Sequence, residues 1–241
     1  MASTSEVGNA KTIANLNLLN THIIDLGSIY NPSNRKLALS NMQIVYTTAS
    51  QQQTAVNNLL APYTVAVDNR ELIFKPLNRE LTKLRKAFKA TEGVTQAQLE
   101  DFMTIVRKLK GVKKTKNKPH TNPEEEQANH STSQLSFDQR TDNLELLITF
   151  LKNIPSFNPN EEEYKVETYK NKKAQMLAST QAVANAYIPL NSARSLRNVT
   201  VYNAEDNLVD IANRAKDYIF TILDANTEQY KAIARIKFKK R

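Results

Sequence analysis

Apolar residues recur along most of this chain at intervals of three and four, the spacing that gathers them on one face of an α-helix. Ile13, Leu16, Leu19 with Asn20 beside it, and Ile23 follow that rule, and Ser3 with Glu6 ahead of them has the Ser-x-x-Glu form of a capping box. The pattern predicts a first helix over residues 3–26, stopped by Gly27. Tyr30-Asn31-Pro32 comes next. Asparagine is a favoured N-cap and proline is tolerated at the first helical position, so a long helix is expected to start there. Its face would carry Leu37, Val45, Ala49, Val56 and Leu59 or Leu60. Pro62 falls inside this helix and is expected to kink or break it, because proline removes one backbone hydrogen bond and crowds the preceding turn. The chain restarts at Lys75-Pro76, with Leu77, Leu81, Leu84 and Phe88 predicting a third helix. Thr95 and Gln98 have capping-box form and open a fourth, carrying Leu99, Phe102, Val106 and Leu109 and ended by Gly111. Period-two alternation with β-branched residues is confined to Val199-Thr200-Val201-Tyr202, so strands are expected to be few or none.

This pattern occurs twice. Residues 55–70 return as 182–197, displaced by 127, with Ala55/Ala182, Val56/Val183, Asn58/Asn185, Pro62/Pro189, Ala66/Ala193 and Arg70/Arg197 identical. Phe157-Asn158-Pro159 answers Tyr30-Asn31-Pro32, and there Glu161 completes a capping box. The interval from Pro32 to Pro62 is 30 residues, as is that from Pro159 to Pro189. Leu208 and Ile211 answer Leu81 and Leu84; the register then shifts by a few residues, and Tyr230, Ile233 and Ile236 mark the last helix. Equal spacing between prolines is not a generic property of helical sequences, so it points to duplication. The expected fold is all-α: two tandem, internally duplicated helical-bundle domains of about four helices each, at residues 1–111 and 131–241. A charged linker over 112–130 would join them. That segment holds Pro119, Pro123, several lysines and Glu124, Glu125 and Glu126, with too few apolar groups to offset the entropy of ordering it. Tryptic cleavage is expected there first, leaving two folded fragments.

Charge changes this picture more than composition does. The 33 Lys and Arg exceed the 24 Asp and Glu by nine. Two stretches hold thirteen of the cations and no acid: Arg107, Lys108, Lys110, Lys113, Lys114, Lys116 and Lys118, then Lys231, Arg235, Lys237, Lys239, Lys240 and Arg241. The remaining 20 cations face all 24 acids, so the rest of the chain is net negative. These stretches are the candidate polyanion-binding residues. Clustered Lys and Arg bind phosphates by releasing counterions, which requires charge density and no base-reading motif. Their alternative role is to keep the protein soluble or to pair with the net-negative bodies. The absence of cysteine excludes disulfides, thiol catalysis and thiolate metal sites. No apolar run approaches the ~18 residues of a membrane span, and the first residues lack a basic-then-apolar leader pattern, so a soluble, cytoplasmic protein is expected.

The opening residues 2–11 (ASTSEVGNAK), the two aromatic-Asn-Pro junctions, the basic middle, and Leu208-Val209-Asp210-Ile211 before a basic C-terminus give a further indication. In these the chain resembles a family of uncharacterised, duplicated helical proteins from Bacteroidetes bacteria. The resemblance implies a duplicated helical fold and a bacterial cytoplasm, and brings with it no activity and no functional residue.

Catalysis needs a constellation, and the sequence offers none. His22, His120 and His130 are isolated, with no second ligand at helical spacing. Glu161, Glu162 and Glu163 are contiguous, so on a helix they would diverge around the axis; in a first turn they would complement the helix dipole. The glycines are single, without phosphate-loop form. Arg70 and Arg197 each lie eight residues past a repeated proline, as a shared functional residue or, more simply, as anchors for carbonyls freed by a kink. The expected function is non-enzymatic, without cofactor or metal: a helical scaffold whose partner is another protein or itself. Sequence-independent DNA or RNA binding through the basic segments is the alternative.

Overall fold

The computed structural model describes residues 8–111 and 136–239, and among them every regular element is helical. Eight α-helices follow in order: α1 (Asn9–Leu26), α2 (Leu39–Phe74), α3 (Leu77–Ala90), α4 (Gln96–Lys110), α5 (Phe137–Lys152), α6 (Val166–Asn198), α7 (Leu208–Ile222) and α8 (Glu228–Arg235). The alternating stretch at Val199 is not a strand. It forms a single π-helical turn, Val199–Asn203, with Val201 buried. The Ser3 capping box and the linker at 112–130 lie outside the described residues.

Local chemistry sets most of the helix ends. Gly27 stops α1 in a conformation, φ 55° and ψ −128°, that a Cβ would forbid. The predicted capping box opens α4: Thr95 Oγ1 accepts from the Gln98 amide at 3.2 Å, and the Thr95 amide donates to Gln98 Oε1 at 2.9 Å. Gly111 closes that helix in the left-handed region.

The starts of the long helices correct the sequence expectation. Neither Asn31-Pro32 nor Asn158-Pro159 opens a helix. Tyr30 and Phe157 are buried in separate cores, and each pins the chain before it turns. A short 3-10 turn follows in each half, Arg35–Leu37 and Glu162–Tyr164, and only then do α2 and α6 begin. Asn34 caps the first of these turns through its side chain. Glu161 makes no such cap, and Glu162 and Glu163 belong to the 3-10 turn rather than to the first turn of α6. Pro62 and Pro189 do not break their helices, which run on through both. Both rings are exposed, where water can satisfy a freed carbonyl.

Packing divides the chain into two compact units, and they are not the expected tandem halves. One comprises Met1–Tyr63 with Ala186–Arg241, the other Thr64–Asn185. The first is built on α1, residues 39–63 of α2, residues 186–198 of α6, α7 and α8. Its core joins Leu16, Leu19 and Ile23 of α1 to Met42 and Ala49 of α2, to Ile211 and Ile219 of α7 and to Ile233 of α8. The second is built on the rest of α2 and α6 with α3, α4 and α5. Its core joins Leu144, Leu147 and Leu151 of α5 to Leu81, Leu84 and Phe88 of α3, to Phe102 and Leu109 of α4, and to Tyr169 and Met176 of α6. Phe88 and Phe102 stack there at 4.6 Å. Each unit therefore takes helices from both halves of the sequence. The physical reason is visible on α1, whose apolar face is covered by α7 and α8 and not by α3 and α4.

Along the long helices the buried apolar positions are sparse and mostly seven apart, Met42, Ala49 and Val56 on α2, then Tyr169, Met176, Val183 and Leu190 on α6, with Phe74 at the end of α2 outside that interval. A seven-residue interval is the mark of a narrow helix-on-helix seam, in contrast to the broad face of a globular helix. Within the first unit α2 and α6 run antiparallel, since Gln53 meets Arg197 while Tyr63 meets Tyr187. Leu60, expected on the buried face, is exposed.

Candidate functional site

The α4 cations sit where the helix places its rim. With Phe102, Val106 and Leu109 turned into the core, Arg107 and Lys110 are half-buried and Lys108 is exposed. Arg107 donates to the Met103 carbonyl at 3.2 Å and to Thr104 Oγ1 at 2.9 Å. Lys110 Nζ donates to Thr82 Oγ1 at 2.6 Å. Burial, and then the neighbouring charge of Arg85, hold its pKa below the usual 10.5. All three complement the negative end of the α4 dipole. Lys113, Lys114, Lys116, Lys118, Lys240 and Arg241 lie outside the described residues.

The second basic stretch is docked rather than loose. Lys231 pairs with Glu228 at 2.9 Å on α8. Beyond Arg235 the chain is extended, and Ile236 and Phe238 enter the first unit's core while Lys237 and Lys239 stay exposed. Period-two alternation of apolar and basic residues accounts for this. The backbone is fastened from both sides: Asn15 Nδ2 donates to the Lys237 carbonyl at 3.0 Å, and Lys216 Nζ donates to the carbonyls of Ala234 and Ile236. Burial lowers the Lys216 pKa, with Asp217 opposing and Lys237 adding to the shift. The α4 cations thus belong to one unit and the tail cations to the other.

Arg70 and Arg197 each lie against the first residue of another helix. In the first unit Arg197 is buried and donates to Asn198 Oδ1 at 2.9 Å and to Gln53 Oε1 at 3.3 Å. With the Asn9 amide turned to suit, its oxygen accepts from the same guanidinium at 2.6 Å, which ties Arg197 to the start of α1. In the second unit the Arg70 guanidinium lies 3.8 Å from the ring centre of Phe137, the start of α5. Phe137 packs edge-on against Phe74 in turn. Both arginines are anchors of the helix that opens the opposite half, in place of the expected anchoring of kinked carbonyls.

His22 is half-buried on α1, and among the described residues no group of three or more His, Asp or Glu is placed to hold a metal ion. The acids of the second 3-10 turn are spent on ion pairs, Glu162 with Lys165 at 2.5 Å and Glu163 with Lys83 at 3.7 Å.

A cavity of about 510 Å3, lined by residues that form no sequence motif, lies in the second unit between α3, the 3-10 turn and α6. Lys172 pairs with Glu80 there at 2.6 Å, their side chains 16% and 35% exposed. Tyr169 is buried in the wall, its hydroxyl pKa pushed up by burial and then by the charge of Glu80. Arg79 and the Lys83–Glu163 pair also line it. The Tyr164 hydroxyl, and behind it the Lys83 charge, hold the Glu163 carboxyl below its usual range. One signal was available in the sequence. At displacement 127, Tyr164, Tyr169 and Lys172 correspond to Leu37, Met42 and Val45, an exchange of apolar for polar groups at core-facing positions.

No family model matches the chain, and neither a curated protein nor a solved structure does.

Proposed function

We propose that the chain is a non-enzymatic helical scaffold of the bacterial cytoplasm, built from two copies of one sequence, that associates with a second copy of itself. Displacement by 127 relates the two 3-10 turns, the starts of α2 and α6, Pro62 and Pro189, and the buried Met42/Tyr169, Ala49/Met176 and Val56/Val183. Displacement by 128 relates the buried Leu16, Leu19 and Ile23 of α1 to Leu144, Leu147 and Leu151 of α5.

The observation that carries the reading lies in the first unit, where the rings of Tyr63 and Tyr187 meet at 5.9 Å. Leu60 beside them is 42% exposed and Ile188 is 63% exposed. Aliphatic groups held in water beside an aromatic pair favour burial by another surface. An exposed apolar patch of this kind can meet the same patch on a second copy across a two-fold axis, the self-complementary contact of a two-fold dimer. Sedimentation equilibrium from micromolar to near-millimolar chain tests this. Reversible dimerisation that Ile188→Ser with Leu60→Ser removes, helix content unchanged, supports the reading. A chain monomeric throughout that range overturns it.

The second reading is sequence-independent polyanion binding, favoured by Lys237 and Lys239, which the buried Ile236 and Phe238 hold outward. If about six to ten cations met phosphates, affinity for DNA would fall on the order of a thousand-fold between about 50 and 200 mM salt. Retention on heparin or DNA that glutamine substitutions weaken equally for all sequences supports it. No retention even at low salt sinks it.

A further inference from the structure

The two copies of the repeat treat one place in the bundle differently. In the first unit Leu37 and Met42 are buried and Val45 packs against the same core, so the fold can close this place with apolar groups. In the second, Tyr164, Tyr169 and Lys172 stand at the corresponding positions, and a cavity of about 510 Å3 opens beside them. A partly buried ion pair such as Lys172–Glu80 seldom adds stability over apolar groups of the same volume, because desolvation offsets the Coulomb attraction. Stability alone therefore gives no reason for Lys172, Glu80 and Tyr169 where Val45 and Met42 serve the other copy. The volume lies within the range of small-molecule sites.

The lining also states a charge preference. Lys172 is matched by Glu80 and Lys83 by Glu163, which leaves the guanidinium of Arg79 as the surplus cation on the cavity wall. Guanidinium recognises carboxylate and phosphate oxygens in two-pronged fashion. The Tyr169 hydroxyl and the remaining Lys172 protons add donors.

We propose that this cavity binds a small organic molecule through a carboxylate or phosphate group held by Arg79, Lys172 and Tyr169. The comparison of copies rests on the duplication proposed above; the charge argument does not.

The test is calorimetric titration and thermal melting of the full chain with three probes at constant ionic strength: inorganic phosphate, adenosine monophosphate and succinate. Saturable binding of at least one is expected, and the probe that binds separates a phosphate from a carboxylate ligand. Arg79→Gln, at an exposed position, should weaken that binding roughly tenfold or more without lowering the melting temperature. A triple variant, Tyr169→Met, Lys172→Val and Glu80→Gln, copies the apolar solution of the first unit. It should melt cooperatively at or above the wild-type temperature and lose the probe response. A triple variant that melts well below wild type argues against equivalence of the copies while the probe titration still decides the site. Absence of saturable binding for all three probes, or binding that Arg79→Gln leaves unchanged, overturns the proposal.

Discussion

Cutting the chain between its halves separates an exchanged arrangement from a tandem one. Suppose a protease site is placed within residues 112–135 of the full chain and cleaved under native conditions. In a tandem protein the two pieces would drift apart as independent bundles. Here Ile13, Leu16, Leu19, Ile23 and Leu26 of the first half are buried in a core with α7 and α8 of the second. Leu144, Leu147, Ile148, Leu151 and Ile154 of the second half are buried in a core with α3 and α4 of the first. Ten such side chains at about 1.5–3 kcal/mol each amount to roughly 15–30 kcal/mol. A compact denatured state lowers this by about 10–40%. Loss of translational and rotational freedom on association costs roughly 4–15 kcal/mol. The midpoints leave a surplus of roughly 7 kcal/mol, which corresponds to a dissociation constant on the order of a few micromolar.

The cleaved protein should therefore elute as one species of the intact mass, 27.3 kDa by light scattering, while a denaturing gel shows two bands. Leu16→Asp places a charge in the α1 seam, and in the cleaved protein it should release the pieces, which should then melt without cooperativity. Two half-mass species, each folded and each melting cooperatively, would refute the packing logic and restore the tandem expectation.

Three further outcomes are expected. Arg197→Ala should lower stability by about 1–3 kcal/mol in urea unfolding, because half-buried Asn9, Gln53 and Asn198 each lose a charged donor; a change within error would make the anchor dispensable. Asn20 is buried on α1 with its Oδ1 unpaired and Nδ2 making only a 3.4 Å bond to the Met42 carbonyl, so Asn20→Leu should raise stability by about 1 kcal/mol; a lower melting temperature would contradict this. Hydrogen bonds from Lys36 and Arg214 hold the Asp206 carboxyl below its usual 3.8, so its contribution is present above that pH and lost as pH falls through the lower folded value. Asp206→Asn should flatten the acid limb of the melting curve below about pH 4, and an unchanged limb would assign acid sensitivity elsewhere.

Much of the fold was written in local chemistry. The faces of α1, α3 and α4, the Thr95 cap and the stops at Gly27 and Gly111 follow from spacing and propensity, which act within a few residues. The long-helix starts were misplaced because Tyr30 and Phe157 serve the core, and burial of an aromatic ring outweighs the capping preference of the next asparagine. The docking of the last basic stretch is hard to read because charge dominates its composition, yet Ile236 and Phe238 alternate with the lysines and secure it. The cavity was illegible in either half by itself. Tyr164, Tyr169 and Lys172 carry no motif, and only their contrast with Leu37, Met42 and Val45 marks them.

Partner choice is the part that two halves of like apolar spacing withhold by their nature. Leu16, Leu19 and Ile23 present α1 with the same apolar spacing that Leu144, Leu147 and Leu151 present on α5. The receiving faces match as well, Leu81 and Leu84 on α3 against Leu208 and Ile211 on α7. Hydrophobic burial is non-directional, so it favours α1 on either receiving pair almost equally. The discrimination falls to polar groups that differ between the halves. In the first unit Asn15 reaches the Lys237 carbonyl and Gln229 donates to Asp25 at 2.8 Å, each bond joining the two halves. In the second, Arg140 on α5 reaches the Phe74 carbonyl and Asn78. Removing Asn15 and Gln229 together, as Asn15→Ala with Gln229→Ala, should cost little stability but loosen the choice of partner. Refolded at high concentration, that variant should populate exchanged dimers that the wild type does not. If both refold to identical distributions, apolar shape alone selects the partner, and the polar bonds only decorate it.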